Sequence, residues 1–322
     1  MHAEVQKTKE RSGWSAKRTL AALGIARRSY YRWLREEAWA RGAAVTKPVQ
    51  PYEALAEEKE AVKRYALAHP ELRHRELAWR MVDEDVAYLS ASTVYRILKD
   101  AKLVCPWRRR SKRRREEEEK AARADERWAT DLMYVQVQGR VYFYVAFLDE
   151  YSRYIVHHEL VRSMDGDSLS LAAQAAIETL PRGADGLPLS RPQIRSDNGS
   201  GYISKEFRIV LAVNGLDHQT IRPHCPEENG LIERSNRTIR EALEEHDPGD
   251  VHEAERLMKR IVDWYNGKRL HSALGYLRPV DYYRGEPKRL HEARRQKLAQ
   301  ARHHRKETNL FGLRQRTLPL GP

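Results

Sequence analysis

Cysteine is nearly absent from this chain: Cys105 and Cys225 are the two in 322 residues, and they lie far apart. That excludes a disulfide framework and a four-cysteine zinc site. It also excludes a two-Cys, two-His finger, which needs a closely spaced cysteine pair. No apolar run approaches the length of a membrane span. The opening Met1-His-Ala-Glu-Val-Gln-Lys lacks an apolar h-region, so no secretory signal is read there and a reducing cytoplasm is expected. Acid is also short: 46 Asp plus Glu face 59 Lys plus Arg, a net charge of +13. A basic excess of this kind points to a polyanionic partner, although a merely solvated surface has the same composition.

Clustering separates the two readings. Seven of the eight residues from Arg108 to Arg115 are basic (Arg108, Arg109, Arg110, Lys112, Arg113, Arg114 and Arg115), and Glu116 to Glu119 follow directly. A basic block beside an acidic one is expected to form a linker whose basic half lies along a phosphate backbone. Hydrophobic residues at 41% suffice for folded cores, and the length allows roughly two or three domains.

Three acids stand in informative local contexts. Asp131 ends the run Arg127-Trp-Ala-Thr-Asp, before the alternating Leu132-Met-Tyr-Val-Gln-Val. Asp197 ends Gln193-Ile-Arg-Ser-Asp and is followed by the turn signal Asn198-Gly199. Glu233 lies near the start of a helix, with 35 residues, 198–232, between it and Asp197. Carboxylates at strand ends and on a neighbouring helix can hold two hard divalent cations, as phosphodiester chemistry requires. Any one of the 46 acids is more often a solvated surface carboxylate; three at the ends of structured elements fit that poorly. Asp149 and Asp217 are the nearest rivals, with Asp149 read as shaping a turn. His224 and Cys225 are adjacent but lack further metal ligands.

The organisation around these acids is modular. Gly13 to Glu36 resembles a helix-turn-helix: Ser15 caps a helix through Leu23, Gly24 turns the chain, and Ser29-Tyr-Tyr-Arg-Trp-Leu continues. Leu20, Leu23, Ile25, Tyr30 and Leu34 are its expected core, with Arg27, Arg28, Tyr31 and Arg32 outward toward DNA. A second unit has helices expected over Glu53–Ala68, Glu71–Val82 and Ser90–Ala101. Val94, Ile97 and Leu98 form its apolar stripe, and Ser92, Thr93, Arg96 and Lys99 suit phosphate. Beyond Arg127 the pattern gives strands over Trp128–Val137, Val141–Leu148 and Tyr154–Val161, a helix over Ser168–Leu180, and a short strand over Pro192–Ser196. A helix over Lys205–Val213, a strand over Asp217–Ile221 and helices over Leu231–Glu245 and Val251–Tyr265 complete it. That order predicts an α/β ribonuclease-H-like catalytic domain preceded by all-α helix-turn-helix domains. The expected boundaries are 1–42, 51–104, a basic/acidic linker 105–126, a catalytic core 127–283 and a basic tail 284–322. On the helix of Glu233, Arg237 and Arg240 share its face, either as ion-pair partners or as phosphate grips. Ile232, Ile239 and Leu243 form the apolar stripe. Trp264, Leu270, Leu274 and Tyr276 are expected to pack, while Asn266, Arg269 and His271 have the chemistry to reach DNA.

Five motifs occur in order: Ser29-Tyr-Tyr-Arg-Trp, Trp128-Ala-Thr-Asp131, Ser196-Asp-Asn-Gly-Ser200, Pro226-Glu-Glu-Asn-Gly-Leu-Ile-Glu-Arg-Ser-Asn-Arg-Thr238 and Trp264-Tyr-Asn-Gly-Lys-Arg-Leu-His-Ser-Ala-Leu-Gly-Tyr276. On these the chain resembles the DDE transposases of the retroviral-integrase superfamily, the IS-three-type insertion-sequence transposases (catalytic, second-frame type) most of all. The resemblance implies that Asp131, Asp197 and Glu233 are both catalytic residues and ligands of two Mg2+ ions, with Mn2+ able to substitute and Asp131 shared. It implies that Asn236 contacts DNA, and that the partners are double-stranded DNA (inverted-repeat ends and target) and further copies of the chain assembled on it. It implies a bacterial, nucleoid-associated protein. No heptad zipper precedes Trp14, which leaves room for a first-frame DNA-binding partner or fusion. Two alternatives are a nonenzymatic DNA-binding regulator derived from a transposase and a ribonuclease-H-type nuclease. Acids at all three positions weigh against the first. The two N-terminal DNA readers and the 35-residue gap between Asp197 and Glu233 weigh against the second.

Overall fold

The computed structural model describes residues 2–40, 50–104, 120–222 and 226–317. The basic block Arg108–Arg115 with its acidic neighbour, and His224 with Cys225, lie outside the described residues. Contacts divide the chain into two compact units, Met1–Leu55 with Arg302–Pro322, and Ala56–Ala301.

In the first unit, helices α1 (His2–Ser12), α2 (Ala16–Ala22) and α3 (Arg27–Ala40) surround a small core. Ser15 caps α2 by accepting from the Arg18 N–H at 3.4 Å. Gly24, at φ +65°, turns the chain toward α3 in a conformation a side chain would disfavour. Val5, Leu20 and Tyr30 are buried together, with Ile25 and Leu34 against them. Leu23, expected in this core, is 41% exposed. The helix ends at Ala22, so Leu23 is the C-cap residue and leaves the inward face, while Val5 of the unforeseen α1 joins the core. In the same unit Asn309 donates to the carbonyls of Pro51 and Glu53, at 3.1 and 3.0 Å.

The second unit opens with α4 (Ala56–Ala68), α5 (His74–Asp83) and α6 (Ala91–Asp100). Ser90 caps α6 by accepting from the Thr93 N–H at 3.3 Å, and Val94, Ile97 and Leu98 are buried as their spacing predicts. Strands β1 (Arg127–Val137), β2 (Arg140–Asp149), β3 (Ile155–Val161), β4 (Gln193–Ser196) and β5 (His218–Thr220) form one mixed sheet in the order β3-β2-β1-β4-β5. The first three strands are antiparallel, and β4 and β5 run parallel to β1. Gln138 and Gly139 both take positive φ, +47° and +76°, as a two-residue hairpin with matching twist requires. Helices α7 (Gly166–Glu178), α8 (Lys205–Val213), α9 (Gly230–Leu243), α10 (Val251–Gly267), the short α11 (Pro279–Tyr283) and the long α12 (Pro287–Thr317) complete the chain.

Strand parity decides which side each residue serves. Trp128, Val145, Phe147 and Ile194 share a core with α7 and α8 through Leu169, Ala173, Phe207 and Leu211. Ala129, Met133, Val135 and Tyr144 face α9 and α10 through Ile232, Ile239, Leu257 and Ile261. Asn266 of α10 accepts from the Ile155 N–H and donates to the Ile155 carbonyl, both at 2.9 Å, fixing α10 to β3. A five-stranded mixed sheet with helices on both faces is the ribonuclease-H-like arrangement that the pattern predicts. Among the described residues no helix is long and apolar enough to cross a membrane.

Candidate active site

The pairing of β1 with β4 brings two of the three acids together. Trp128 lies opposite Ile194 and Ala129 opposite Arg195. Continued by two residues, the same register sets Asp131 beside Asp197, just past the end of β4. Parity points both to one face: Ala129 faces α9, so Asp131 does, and Ile194 faces away from it, so Arg195 and Asp197 face toward it.

Their surroundings differ. Asp131 is pushed up to about 6, first by burial and then by repulsion from Asp197, with a smaller push from Glu233; the Leu132 N–H and the Asn236 amide oppose it. Asp197 accepts the Gly199 N–H on Oδ1 at 2.9 Å. A Cβ at Gly199 would meet that same oxygen at 2.9 Å, so glycine lets the carboxylate fold against its own turn. Asn198 donates to the Ile221 carbonyl at 3.0 Å, and Ser196 Oγ lies 2.9 Å from His218 Nε2, so β5 braces the turn from both sides. Gly201 is buried: a Cβ there would lie 2.7 Å from Leu169 Cδ1. Behind Asp131, Thr130 Oγ1 and the Tyr202 hydroxyl meet at 3.1 Å in the opposite core.

Helix α9 supplies the third acid and an unforeseen contact. Glu233 is exposed in its first turn, where the helix dipole favours a carboxylate. Asn236, expected at DNA, is buried and donates its amide to Asp131 Oδ2 at 3.0 Å. It stands one helical turn after Glu233, so the i, i+3 spacing carried this signal. Among the described residues no three His, Cys, Asp or Glu side chains are gathered to hold a metal ion. The structure therefore brings Asp131 and Asp197 together, while Glu233 stands on the adjacent helix and acts on Asp131 through its charge.

Arg237 pairs with Glu241 at 2.8 Å and not with Glu233. Arg237 and Arg240 are exposed on α9; Arg27, Arg28, Tyr31 and Arg32 are exposed on α3; Ser92, Arg96 and Lys99 are exposed on α6. Thr93, half-buried, has its hydroxyl 3.0 Å from Ser90 and accepts from Arg96 at 3.2 Å. Asp149 is fully buried and accepts from the Ser152 and Asp125 N–H groups at 2.8 and 2.9 Å; it shapes a turn and does not join the site. Asp217 is exposed. Trp264, expected to pack, is 43% exposed, whereas Asn266 is committed to β3.

Sequence reading missed a buried charge network behind the site. Glu150 lies 3.5 Å from Arg127 and 3.4 Å from Arg195. Arg195 in turn donates to the Glu228 carbonyl at 3.2 Å, in the turn that opens α9. The strand of Asp197 is thereby tied to the entry of the helix that bears Glu233. Glu228 accepts the Arg222 N–H at 2.9 Å and pairs with its guanidinium, so it holds this entry. The side chain of Glu227 lies outside the described residues.

The integrase core domain family matches residues 121–226 and again residues 214–279, which together contain β1 to β5, the three acids and Asn236. Residues 121–279 thus carry an integrase core domain. The chain is 25% identical over 169 residues to a transposase for insertion sequence element IS904 of Lactococcus lactis, covering 51% of this chain and 63% of that one. It is 27% identical over 202 residues to the Escherichia coli transposase InsD of IS2 elements, covering 61% and 66%. It thus spans under two thirds of either relative. A solved HTLV-2 integrase catalytic core domain in complex with magnesium aligns at 18% identity with a TM-score of 0.40, over 50% of this chain and 98% of that one.

Proposed function

We propose that this chain is a DDE-type transposase, a polynucleotidyl transferase that binds transposon-end DNA, cleaves it and joins it to a target strand. The observation that carries the reading is the register of β1 and β4, which sets Asp131 beside Asp197 on the face covered by α9. The donor set fits a hard divalent cation, since every candidate ligand is a carboxylate oxygen. Asp131 and Asp197 would hold Mg2+ or Mn2+ between them, and Glu233 would complete the set from the exposed first turn of α9. Two bound ions would activate the attacking oxygen and stabilise the leaving 3′-oxygen.

The chain's own residues prepare that chemistry. Asn236 fixes the Asp131 carboxylate by its hydrogen bond, and the Gly199 N–H fixes Asp197. Arg195 ties the Asp197 strand to the α9 entry. Arg237 and Arg240 extend along α9 where they suit the phosphates flanking the scissile one. Water attacks a phosphodiester to free a 3′-hydroxyl; that hydroxyl then attacks a phosphodiester of the target, expelling its 3′-oxygen as a new hydroxyl. Phosphodiester number is conserved in the second step, so no external energy source is needed.

Recognition falls to the helical segments. Arg27, Arg28, Tyr31 and Arg32 on α3, and Ser92, Thr93, Arg96 and Lys99 on α6, present donors in the way recognition helices do. The basic residues of 108–115 add sequence-independent phosphate contacts. Because two ends must be joined, the active form is a homo-oligomer assembled on DNA. Incubation of the purified chain with candidate end DNA and Mg2+, read on a sequencing gel, tests this. Discrete 3′-end cleavage and joined products, abolished by EDTA, are expected. DNA binding without either product under Mg2+ or Mn2+ would leave a regulator and not a transposase.

A further inference from the structure

Away from the three acids, α5 and α6 border a cleft of about 660 Å3, within the range of small-ligand sites. Four rings line it, those of His74, Trp79, Tyr95 and Tyr276, together with the guanidinium-bearing Arg75 and Arg96. His74 and Tyr95 already touch, their centroids 5.0 Å apart and tilted by 57°. Tyr95 is 38% exposed although its neighbours Val94 and Ile97 are buried, so a large ring is held at the surface.

The far wall is built at some cost. Gly275 and Tyr276 both lie in the left-handed region, at φ +62° and +61°, which a tyrosine rarely adopts. Arg294, buried, holds them there by donating to the Gly275 carbonyl at 3.0 Å and the Tyr276 carbonyl at 2.8 Å. The same guanidinium makes a two-point pair with Asp83 at 2.8 and 2.6 Å and stacks 4.9 Å over the Trp79 ring. One buried arginine therefore holds the backbone that carries Tyr276 and stacks on the ring of Trp79.

From this arrangement we infer that the cleft receives one unstacked nucleotide of bound DNA, its base against the Tyr95 and Tyr276 rings and its phosphate at Arg75 and Arg96. Aromatic faces accept any base by stacking, and guanidiniums grip the phosphate in two-point fashion. The inference rests on the DNA-binding reading above and adds to it a site for a base withdrawn from the helix.

The test compares the full chain's affinity, by fluorescence anisotropy, for a paired duplex and for the same duplex with one unpaired thymidine. The unpaired form should bind roughly tenfold tighter, the low end of what one base–aromatic stack contributes. Tyr95→Ala and Arg75→Gln, both exposed positions whose folding is checked by melting, should each erase that difference. With 5-iodouracil at the unpaired position, photocrosslinks should map to the peptides holding Tyr95, Trp79 or Tyr276. Equal affinity for the two duplexes, a preference that survives both variants, or crosslinks only elsewhere would overturn the cleft while leaving DNA binding intact. Competition by free thymidine monophosphate without any bulge preference would overturn the assignment to DNA. Failure to bind either duplex would instead remove the DNA-binding reading and the cleft with it.

Discussion

Asn236 donates its side-chain amide to Asp131 at 3.0 Å, and stands one helical turn beyond Glu233. A single helix face thus carries one candidate ligand and the group that orients another. Groups that orient metal ligands typically contribute about 10–100-fold to metal affinity or activity. Asn236→Ala should therefore raise the Mg2+ concentration needed for half-maximal strand transfer by roughly tenfold or more, with duplex binding unchanged. A Mg2+ titration on labelled end DNA measures it, and an unshifted midpoint would leave Asn236 a packing residue.

Much of this site was legible in the sequence because strands have a period of two. The alternation around Trp128–Val137 fixed the face of Asp131, and the turn signal Asn198-Gly199 marked the exit of β4. What parity could not show was contact across elements. Asn236 reads as one more polar residue on an amphipathic helix until α9 is laid on β1. The Arg127–Glu150–Arg195 network joins three strands or strand ends distant in sequence, and charged residues of that kind are usually solvated. Leu23 and Trp264 failed in the other direction, since apolar character alone does not say which side of a helix end faces the core.

Asn266 satisfies both backbone groups of Ile155 in a buried position. Asn266→Ala leaves a buried N–H and C=O without that partner and should destabilise the second unit by about 2–4 kcal/mol. Thermal unfolding followed by circular dichroism reads the loss; a melting temperature within a degree of the parent would show that water replaces the asparagine at no cost.

Burial lowers His271 to about 3, with repulsion from Arg269 adding to it, and lowers His158 to about 4, with His157 adding. Both are therefore held neutral in the fold. Below their ordinary value of 6.5 the unfolded chain binds protons that the folded chain refuses, so stability falls as pH drops from 6.5 toward 4. Urea midpoints at pH 7 and pH 5 should fall for the parent and fall less for His158→Gln. An equal fall in both would assign the acid loss to other groups.

Neutralising the basic residues between Arg108 and Arg115 should weaken binding to every duplex alike and flatten its dependence on salt. The slope of log affinity against log salt, measured on end DNA and on unrelated DNA, reads this directly. A loss confined to end DNA would mean that these residues read sequence.

In the proposed mechanism Asp131 and Asp197, set together by β1 and β4, hold the ions that run the chemistry. Asp197→Asn removes a charge and a ligand at almost constant volume, which separates catalysis from folding. Measured on end DNA in Mg2+, the variant should bind as the parent does and give no cleaved or joined strand. Strand transfer at the parent's rate by the purified variant would contradict the account.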